Sequence, residues 1–285
     1  MRALARILTA GLASMLMLSP AAVSSGSEGE RALASGGTVP LTILTINIHA
    51  ALTDTGTDLP GIAREITAAG ADVVLLQEVD RHYAQRSQWA DQPRRLAELT
   101  GMSVAFGPAI DLPPLKDGSP RRQHGNAILV RGPILESANT DLPWESGTQR
   151  RALLRVTFVR SGITVDAYST HLHYAVDRLR VAQAARVVEK MRTRRCPRLL
   201  GADLNALPWE EPSRRIAGYL ADAWTEVGLG GSFTQPAAQP SRRVDYVFHD
   251  SWMTASSIRV QDRGVSDHRA VRAEVELSEA SATAC

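Results

Sequence analysis

The spacing of hydrophobic residues along the chain predicts strands interrupted by helices. Residues 41–48 alternate β-branched and apolar side chains, which is typical of a strand. Residues 72–79 carry a continuous apolar run instead, which indicates a strand buried on both faces. By the same criteria we predict further strands at 102–106, 125–130, 151–159, 163–169, 198–201, 243–248 and 271–277.

Three segments, at 60–69, 93–100 and 176–191, have the composition of helices. The first ends at Gly70, and the third confines its apolar residues to one half of a helical wheel. Residues 112–122 are rich in Pro, Gly and charge and predict a long loop. Because loops between strands often select the substrate, this loop is a candidate rim for a site.

The two ends of the chain lack this periodicity. Arg2 and Arg6 precede a short apolar run and then small residues, which predicts a cleaved secretory signal over 1–24 and a secreted, extracellular protein. The run is too short to span a bilayer comfortably, although an amphipathic anchor is an alternative. We predict a flexible leader at 25–40, one domain at 41–277 and a disordered tail at 278–285.

The charge balance argues against a protein that relies on bulk positive charge to hold nucleic acid. The chain has 32 Lys and Arg against 30 Asp and Glu, and removal of the signal would take away two basic residues and no acidic one. The remaining chain would be close to neutral, with only local basic patches available to a polyanion. Cys196 and Cys285 are the only thiols, and the sequence leaves open whether they pair.

Polar residues stand where core strands end. Asp203 and Asn205 follow the apolar run 198–201 and point the same way if the chain stays extended, although Asp and Asn are also ordinary turn residues. Asn47 takes the place of an apolar residue, so its amide must be paired or used. Glu78 ends a buried strand, where a cation or donor must compensate its desolvation unless the side chain reaches solvent.

Imidazoles and further carboxylates occupy similar positions. His171 closes the strand at 163–169, where a packed or solvated histidine would be the ordinary interpretation. Asp245 interrupts an apolar strand, and Asp267 and His268 lie just before the last strand. These four residues add acid, base and ligand chemistry to the carboxylates of the preceding strands.

Three cationic side chains are candidates for contact with a substrate anion. His49 follows Asn47 on the same face, and it either reaches the anion or only marks the exit of the strand. Arg150 and Arg151 stand at the entrance of a predicted strand, where a guanidinium would grip phosphate oxygens in a fork or merely cap the sheet edge.

A hydrolytic site explains this set of residues more economically than coincidence. Its oxygen donors suit a hard cation such as Mg²⁺, with Mn²⁺ or Ca²⁺ as alternatives, better than zinc. The sequence has no Gly-rich phosphate loop, Cys pair or Gly-x-Ser-x-Gly elbow. The set comprises Asn47, Glu78, His171, Asp203, Asn205, Asp245, Asp267 and His268.

The order of these motifs resembles that of the endonuclease/exonuclease/phosphatase superfamily, the DNase I-like metal-dependent phosphoesterases. Seven short motifs run in the family's order across nearly all of the predicted domain: Thr-Ile-Asn-Ile, Leu-Gln-Glu-Val, Gly-Asn-Ala-Ile-Leu, Thr-His-Leu, Gly-Ala-Asp-Leu-Asn, Val-Asp-Tyr-Val and Ser-Asp-His. One departure concerns the family's frequent Arg-Gly-Ala-Leu, where this chain has Gln-Arg-Arg-Ala-Leu at 149–153. Of the two arginines we favour Arg150 as the phosphate ligand.

The resemblance implies an α/β (α+β) fold in four layers, with two packed mixed β-sheets flanked by helices and the site at one edge. It implies that Glu78 binds the metal, with Asn47 and Asp267 around it. It further implies that His268, held by Asp245, contacts the phosphate or deprotonates water.

For the remaining residues the resemblance implies roles around the attacking water. Asp203 would position that water, and Asn205 would fix Asp203 or a phosphate oxygen. His171 would stabilise developing charge or help to protonate the leaving oxygen. Which histidine acts as acid and which as base stays open.

The function that we expect is a secreted, divalent-metal-dependent phosphodiesterase acting on a phosphoester, as a monomer with no obligate protein partner. A nuclease is one interpretation, and a sphingomyelinase-type enzyme cleaving a phospholipid headgroup is another, since Trp144, Trp209, Trp224 and Trp252 are candidates for membrane-facing loops. A binding protein that has lost catalysis on the same scaffold is the alternative of a different class.

Overall fold

The computed structural model describes residues 36–261 and 264–285, so the predicted signal at 1–24 and most of the leader lie outside the described residues. The first sheet is built from strands β1 Thr38–Asn47, β4 Val73–Arg81, β5 Ser103–Leu112, β6 Arg122–Val130, β13 Met253–Gln261 and β14 Ala270–Ser278. Their order is β13-β14-β1-β4-β6-β5, in which only the β1–β4 pair is parallel.

The second sheet repeats this plan with one parallel pair. Its strands are β7 Ile134–Asp141, β8 Ala152–Arg160, β9 Ile163–His171, β10 Arg198–Asp203, β11 Ala221–Asp222 and β12 Asp245–His249. They lie in the order β11-β12-β10-β9-β8-β7, and β9 and β10 run parallel. A small hairpin joins β2 Leu52–Thr53 to β3 Gly56–Thr57.

Four of the five α-helices in the described part of the chain, α1 to α4 in chain order, cover the outer faces of the sheets, and the fifth packs against the layer between the sheets. The five helices are α1 Leu59–Ala69, α2 Gln92–Thr100, α3 Asp177–Arg192, α4 Glu211–Ala217 and α5 Ala223–Val227. Asp58 caps α1 through a hydrogen bond from the Gly61 N–H, and Gly70 ends the helix in the left-handed conformation that glycine adopts without penalty. None of the helices among the described residues combines the length and apolarity that crossing a membrane requires.

Three apolar layers hold these elements together and confirm the predicted four-layer fold. Alternate residues of the strands point inward to a layer between the sheets, represented by Ile43, Leu75 and Val165. The opposite residues pack against α1 and α2 in one outer layer and against α3 and α4 in the other. Each sheet is therefore apolar on both faces, which accounts for the continuous hydrophobic run of β4.

The structure adds elements that the sequence analysis does not predict. β7 is an edge strand whose side chains are mostly exposed, so it lacks the apolar alternation that marks a strand. α4, α5 and β13 are also absent from the prediction. The segment predicted as a strand at 102–106 continues to Leu112 as β5.

The predicted boundaries of the domain also need correction. β1 begins at Thr38, inside the predicted leader, because its first residues pair with the end of β14. The predicted disordered tail is a 3-10 helix over Glu279–Thr283, and Cys285 forms a disulfide with Cys196. A covalent link to a buried cysteine supplies the order that the composition of the tail does not indicate.

Gly201 in β10 allows the two sheets to approach each other. A Cβ at this position would lie 2.5 Å from Leu75 Cδ1 and 2.8 Å from Thr45 Oγ1, both on the opposite sheet. Atoms at these distances overlap, so a larger side chain must push the sheets apart directly below the strand ends. Close packing therefore fixes glycine in the Gly-Ala-Asp-Leu-Asn motif.

We expect Gly201→Ala to lower the free energy of unfolding by about 1–3 kcal/mol, the usual cost of overfilling a packed core. Urea denaturation followed by circular dichroism measures this change. Gly231→Ala is the matched control, because no atom lies within 4 Å of its added Cβ, and it should change the value by less than about 0.5 kcal/mol. Equal stabilities of the two variants would contradict the role of Gly201.

Candidate active site

A cleft lies at the edge where strands of both sheets end. It has a volume of about 350 Å³, and its walls combine β4 and the loop after β1 with the ends of β9 and β10 from the other sheet. Seven of the ten residues predicted from the sequence line it: His49, Glu78, His171, Asp203, Asn205, Asp267 and His268.

Asn47 ties the two sheets together below this cleft. Its Nδ2 donates to Glu78 Oε1 at 3.1 Å and to Asp203 Oδ2 at 3.0 Å, and its Oδ1 accepts from the His49 N–H at 3.0 Å. The side chain is buried, and all of its polar atoms are used. In this arrangement Asn47 orients two carboxylates, whereas the sequence analysis assigns it to the metal.

Glu78 reaches the cleft because β4 bulges at this point. The register between β4 and β6 shifts between Leu76 and Val79, and Glu78 has a φ of 54°. A bulge re-aims the side chain of its extra residue, and a left-handed conformation is costly outside glycine. The strand thus departs from regular geometry at the carboxylate that the sequence predicts to bind a metal.

Asp203, Asn205 and His171 form a second group, contributed by β9 and the end of β10. Asp203 Oδ1 accepts from the Asn205 N–H at 2.9 Å, and Asp203 Oδ2 lies 3.3 Å from His171 Nε2. The Asn205 Nδ2 donates to His171 Nε2 at 2.8 Å, which leaves the ring proton on Nδ1. Asn205 has a φ of 47°, a second left-handed residue at the cleft.

Burial separates the proton affinities of these groups. Burial raises the pKa of Asp203 to about 6, with the carboxylate of Asp245 adding to the effect. Burial lowers the pKa of His171 well below its usual value, so this imidazole is neutral at neutral pH. Its Nδ1 is buried, lies 3.7 Å from Glu78 Oε1 and has no hydrogen-bond partner among the described residues.

His268 is held by a carboxylate, as the sequence analysis predicts. Its Nδ1 lies 2.8 Å from Asp245 Oδ2, while its Nε2 lies 2.9 Å from the side-chain amide of Gln235 and 3.8 Å from Asp203 Oδ2. Burial disfavours the charged ring, but the carboxylates of Asp245 and Asp203 outweigh this and raise the pKa of His268 to about 10. A protonated imidazole therefore faces the cleft.

The loop before β14 brings Asp267 to the cleft. Ser266 Oγ donates to the Asn47 backbone oxygen at 2.7 Å, which anchors the loop to the end of β1. Asp267 Oδ1 then lies 3.6 Å from His49 Nδ1, and half of the Asp267 side chain is exposed. His49 and Asp267 form the outer wall of the cleft, beyond Asn47.

The donor set fits a hard divalent cation. Glu78 and Asp267 offer carboxylate oxygens to the cleft, and oxygen ligands with open positions for water are what Mg²⁺ prefers. Ligand atoms of Asp203, Asp245 and His268 also lie within 4.8 Å of one another, and Asp245 Oδ1 is buried without a hydrogen-bond partner among the described residues. A cation at this second group would have to replace the Asp245–His268 contact, so Glu78 and Asp267 are the better ligands.

The two candidate arginines lie in different surroundings, and Arg150, which the sequence analysis favours, is outside the cleft. Arg150 is exposed, with its guanidinium 4.0 Å from the centre of the Trp144 ring, outside the cleft. Arg151 lines the cleft and is only 4% exposed, and its Nε has no hydrogen-bond partner among the described residues. Burial lowers the pKa of Arg151, and the charges of Glu78 and Asp203 oppose that shift. A buried guanidinium with an unused N–H is a site for an anion.

Sequence reasoning missed several residues around the cleft. His124 lies beside Glu78, Arg151 and His171, and its Nδ1 contacts Asp80 Oδ1 at 2.7 Å. Asp80 is fully buried on β4, two residues after Glu78. Its position, a carboxylate within an apolar strand, is the same signal that identified Asp245.

A second group of missed residues joins the sheets. Gln77 Nε2 donates to Ser169 Oγ at 3.0 Å, and Ser169 Oγ donates to the Leu76 backbone oxygen at 3.0 Å. Gln77 and Ser169 are buried and belong to opposite sheets. Gln77 is a polar residue in a core strand, but nothing in the sequence names its partner, 92 positions away.

Comparison with known proteins agrees with this geometry. The model of the endonuclease/exonuclease/phosphatase family matches residues 44–268. The chain belongs to this family. Membership places it among phosphoester hydrolases that depend on a divalent metal ion, in agreement with the carboxylates and histidines of the cleft.

Individual relatives extend over most of the chain. The uncharacterised protein YbhP of Escherichia coli K12 is 27% identical over 254 residues, which cover 82% of this chain and 96% of YbhP. A family member of known structure from Beutenbergia cavernae is 30% identical with a TM-score of 0.71, covering 84% of this chain and 72% of that one. A mannosyl-6-phosphatase from Bacteroides thetaiotaomicron shares the fold at 20% identity and a TM-score of 0.65, covering 82% and 99%.

We expect Arg151→Lys to lower kcat/KM for a phosphodiester by about 10- to 100-fold, because a lysine cannot reproduce the fork of the guanidinium. Arg150→Lys, its neighbour, should change kcat/KM less than about 3-fold. Thermal unfolding of both variants shows whether the fold survives each change. A larger loss for Arg150→Lys than for Arg151→Lys would contradict the placement of the anion.

Proposed function

We propose that this chain is an exported, Mg²⁺-dependent phosphodiesterase. The observation that carries the proposal is the convergence of carboxylates, imidazoles and a buried guanidinium from both sheets on one cleft. Phosphoryl transfer needs positioning, charge neutralisation and an oriented water, and these groups supply each requirement without a protein nucleophile. Family membership gives a phosphoester hydrolase, and we add that its metal is Mg²⁺ and its substrate a phosphodiester.

The metal would be held by Glu78 and Asp267, with Asn47 fixing the carboxylate of Glu78 from below. When bound, Mg²⁺ would neutralise charge on the phosphate and polarise its P–O bonds. Mn²⁺ would bind to the same oxygen ligands, and Ca²⁺ is a further alternative.

Two cations of the protein would bind the phosphate. Arg151, just before β8 of the second sheet, presents an unused N–H from a buried position. Protonated His268, just before β14 of the first sheet, presents its Nε2. His49 is a third candidate at the outer wall, where Asp267 already lies 3.6 Å from its ring. A phosphate between Arg151 and His268 would lie beside both Glu78 and Asp203, which line the same cleft.

The attacking water would be oriented by Asp203. Asn47 and the Asn205 N–H hold this carboxylate in place, and it lies within 4 Å of both imidazoles. Water would form the new P–O bond while its proton passes to Asp203, and the bond to the leaving oxygen would break. The leaving oxygen would take a proton from His268, whose positive charge Asp245 stabilises. The Nδ1–H of neutral His171 would stabilise the phosphoryl oxygens.

Nucleic acid is one candidate substrate of this phosphodiesterase, and a phospholipid headgroup is the second. Trp209, four residues after Asn205 in the chain, is 69% exposed, and Leu229 and Phe233 are exposed in the segment that leads to Gln235. Exposed apolar side chains around a cleft are suited to a membrane surface. Of the other tryptophans named from the sequence, Trp144 is exposed, whereas Trp224 packs against the core between the sheets. Release of phosphocholine from sphingomyelin vesicles, compared with cleavage of plasmid DNA, distinguishes the two substrates.

A catalytically silent binding protein is the alternative of another class. It would retain the cleft but would have no need to keep Asp203 buried at a cost in stability beside two histidines. We therefore favour the enzyme, and turnover of bis-p-nitrophenyl phosphate decides between the two. Export is proposed from the signal pattern and from the Cys196–Cys285 disulfide, which an oxidising compartment maintains.

Glu78→Gln keeps the size of the side chain and removes its charge, so we expect it to lower turnover of bis-p-nitrophenyl phosphate by at least about 100-fold. A chelator should abolish turnover by the unchanged protein, and added Mg²⁺ should restore it. Glu98→Gln, an exposed carboxylate on α2, is the control and should retain full activity. Metal-independent turnover, or full activity of Glu78→Gln, would refute the proposal.

We expect Cys285→Ser to lower the free energy of unfolding by about 2–4 kcal/mol, because the disulfide closes a long loop of 89 residues. Urea denaturation with and without a reducing agent measures this effect. The reducing agent should destabilise the unchanged protein and leave Cys285→Ser unaffected. If reduction changed neither protein, the disulfide would contribute nothing to stability.

A further inference from the structure

A second cavity is formed by the segments that follow β4 and precede β6. It has a volume of about 250 Å³ and is lined mainly by an indole, aliphatic carbon and cationic side chains. We call it the Trp89 pocket, and its residues are His82, Trp89, Leu115, Lys116, Ser119, Pro120 and Arg122. Neither the proposed mechanism nor the family motifs use any of these residues.

The Trp89 pocket and the catalytic cleft share their framework. On β6, Arg122 lines the pocket, while His124, two positions further along the strand, lies beside Glu78 and Arg151. On β4 and its continuation, Glu78 and His82 are four residues apart, a separation of at most about 13 Å. One ligand of moderate length can therefore occupy both sites.

The indole of Trp89 is fixed in place although it is 36% exposed. Its Nε1 donates to Gln85 Oε1 at 2.8 Å, and its backbone oxygen lies 2.9 Å from His82 Nδ1. Gln88 and Trp89 have φ values of 54° and 57°, which residues other than glycine adopt only at a cost. The backbone that carries the indole is therefore strained, and Trp89 lines the pocket together with Leu115, which is 61% exposed.

Two basic side chains, Lys116 and Arg122, line the pocket with Trp89. Residues 113–122 contain three basic residues and one acidic residue, and Arg121 is paired with Asp111. Arg122 Nε donates to the Pro113 backbone oxygen, and no carboxylate among the described residues forms an ion pair with Arg122 or Lys116. The remaining N–H groups of Arg122 and the ammonium group of Lys116 can therefore bind an anion at the edge of the indole.

We propose that the Trp89 pocket binds a nucleotide unit of the substrate, with its base stacked on Trp89 and its phosphate contacted by Lys116 and Arg122. Aromatic stacking combined with cationic contacts is the means by which proteins hold single-stranded nucleotides. The volume of about 250 Å³ lies below the range of about 300–1,000 Å³ that is usual for pockets holding drug-sized ligands, which agrees with a single base. The inference rests on the proposed phosphodiesterase activity, to which it adds a distal subsite.

Calorimetric titration of the full exported chain with adenosine 5′-monophosphate, in the presence of a chelator, tests the subsite directly. We expect binding that Trp89→Ala weakens between about 5-fold and 100-fold and that Trp89→Phe largely retains. Leu135→Ala, which changes an exposed apolar side chain on the edge strand β7 outside the pocket, is the control and should bind as the unchanged protein does. Lys116→Ala should weaken binding of the nucleotide and leave binding of adenosine unchanged.

Turnover separates this inference from the proposed function. Trp89→Ala should raise KM for a short oligonucleotide by a similar factor while kcat, and turnover of bis-p-nitrophenyl phosphate, stay unchanged. Turnover of bis-p-nitrophenyl phosphate without any effect of Trp89→Ala on nucleotide binding would overturn the subsite alone. Nucleotide binding at Trp89 without turnover of any phosphodiester would overturn the proposed function alone. If Trp89→Ala lost binding to phosphatidylcholine vesicles but not to the nucleotide, the pocket would serve a lipid and the inference would be wrong.

Discussion

The catalytic cleft depends on one buried amide. Asn47 ends a strand of the first sheet, and its side chain donates to Glu78 of the same sheet and to Asp203 of the other. One layer below, Gln77 and Ser169 form a second polar contact between the sheets. Apolar side chains fill most of the space between the sheets, but at this edge hydrogen bonds of fixed length set their separation. The distance between the two carboxylates is thereby determined before any substrate arrives.

The cleft brings together several features that each lower the stability of the folded protein. Asp203 and Asp245 are almost fully buried, and Glu78 and Asn205 have left-handed backbone conformations. Each of these features costs stability on its own, and each persists because partners compensate it: an amide, a backbone N–H or an imidazole. The apolar layers on both faces of each sheet supply the stability that the edge lacks. Such a distribution is expected where preorganised charge, rather than packing, is what function requires.

Most of the fold and the site could be predicted from the sequence because the polar residues interrupt apolar strands. Asn47, Glu78 and Asp245 are conspicuous for this reason, and strand ends place them at one edge. Arg150 and Arg151 could not be distinguished, since both precede β8 and only the path of the chain into that strand decides which side chain enters the cleft. Contacts across the sheets, such as Gln77 with Ser169, depend on the packing of distant segments. The edge strand β7 was missed because its exposed side chains carry no apolar period.

We propose that one cation and one phosphate occupy the cleft that Asn47 organises. A crystal structure of the protein with Mn²⁺ and inorganic phosphate, using the anomalous signal of manganese, would locate both ions. We predict an anomalous peak at the carboxylates of Glu78 and Asp267, with phosphate oxygens in contact with Arg151 and His268. A peak at another location, or a phosphate bound away from these side chains, would contradict the account.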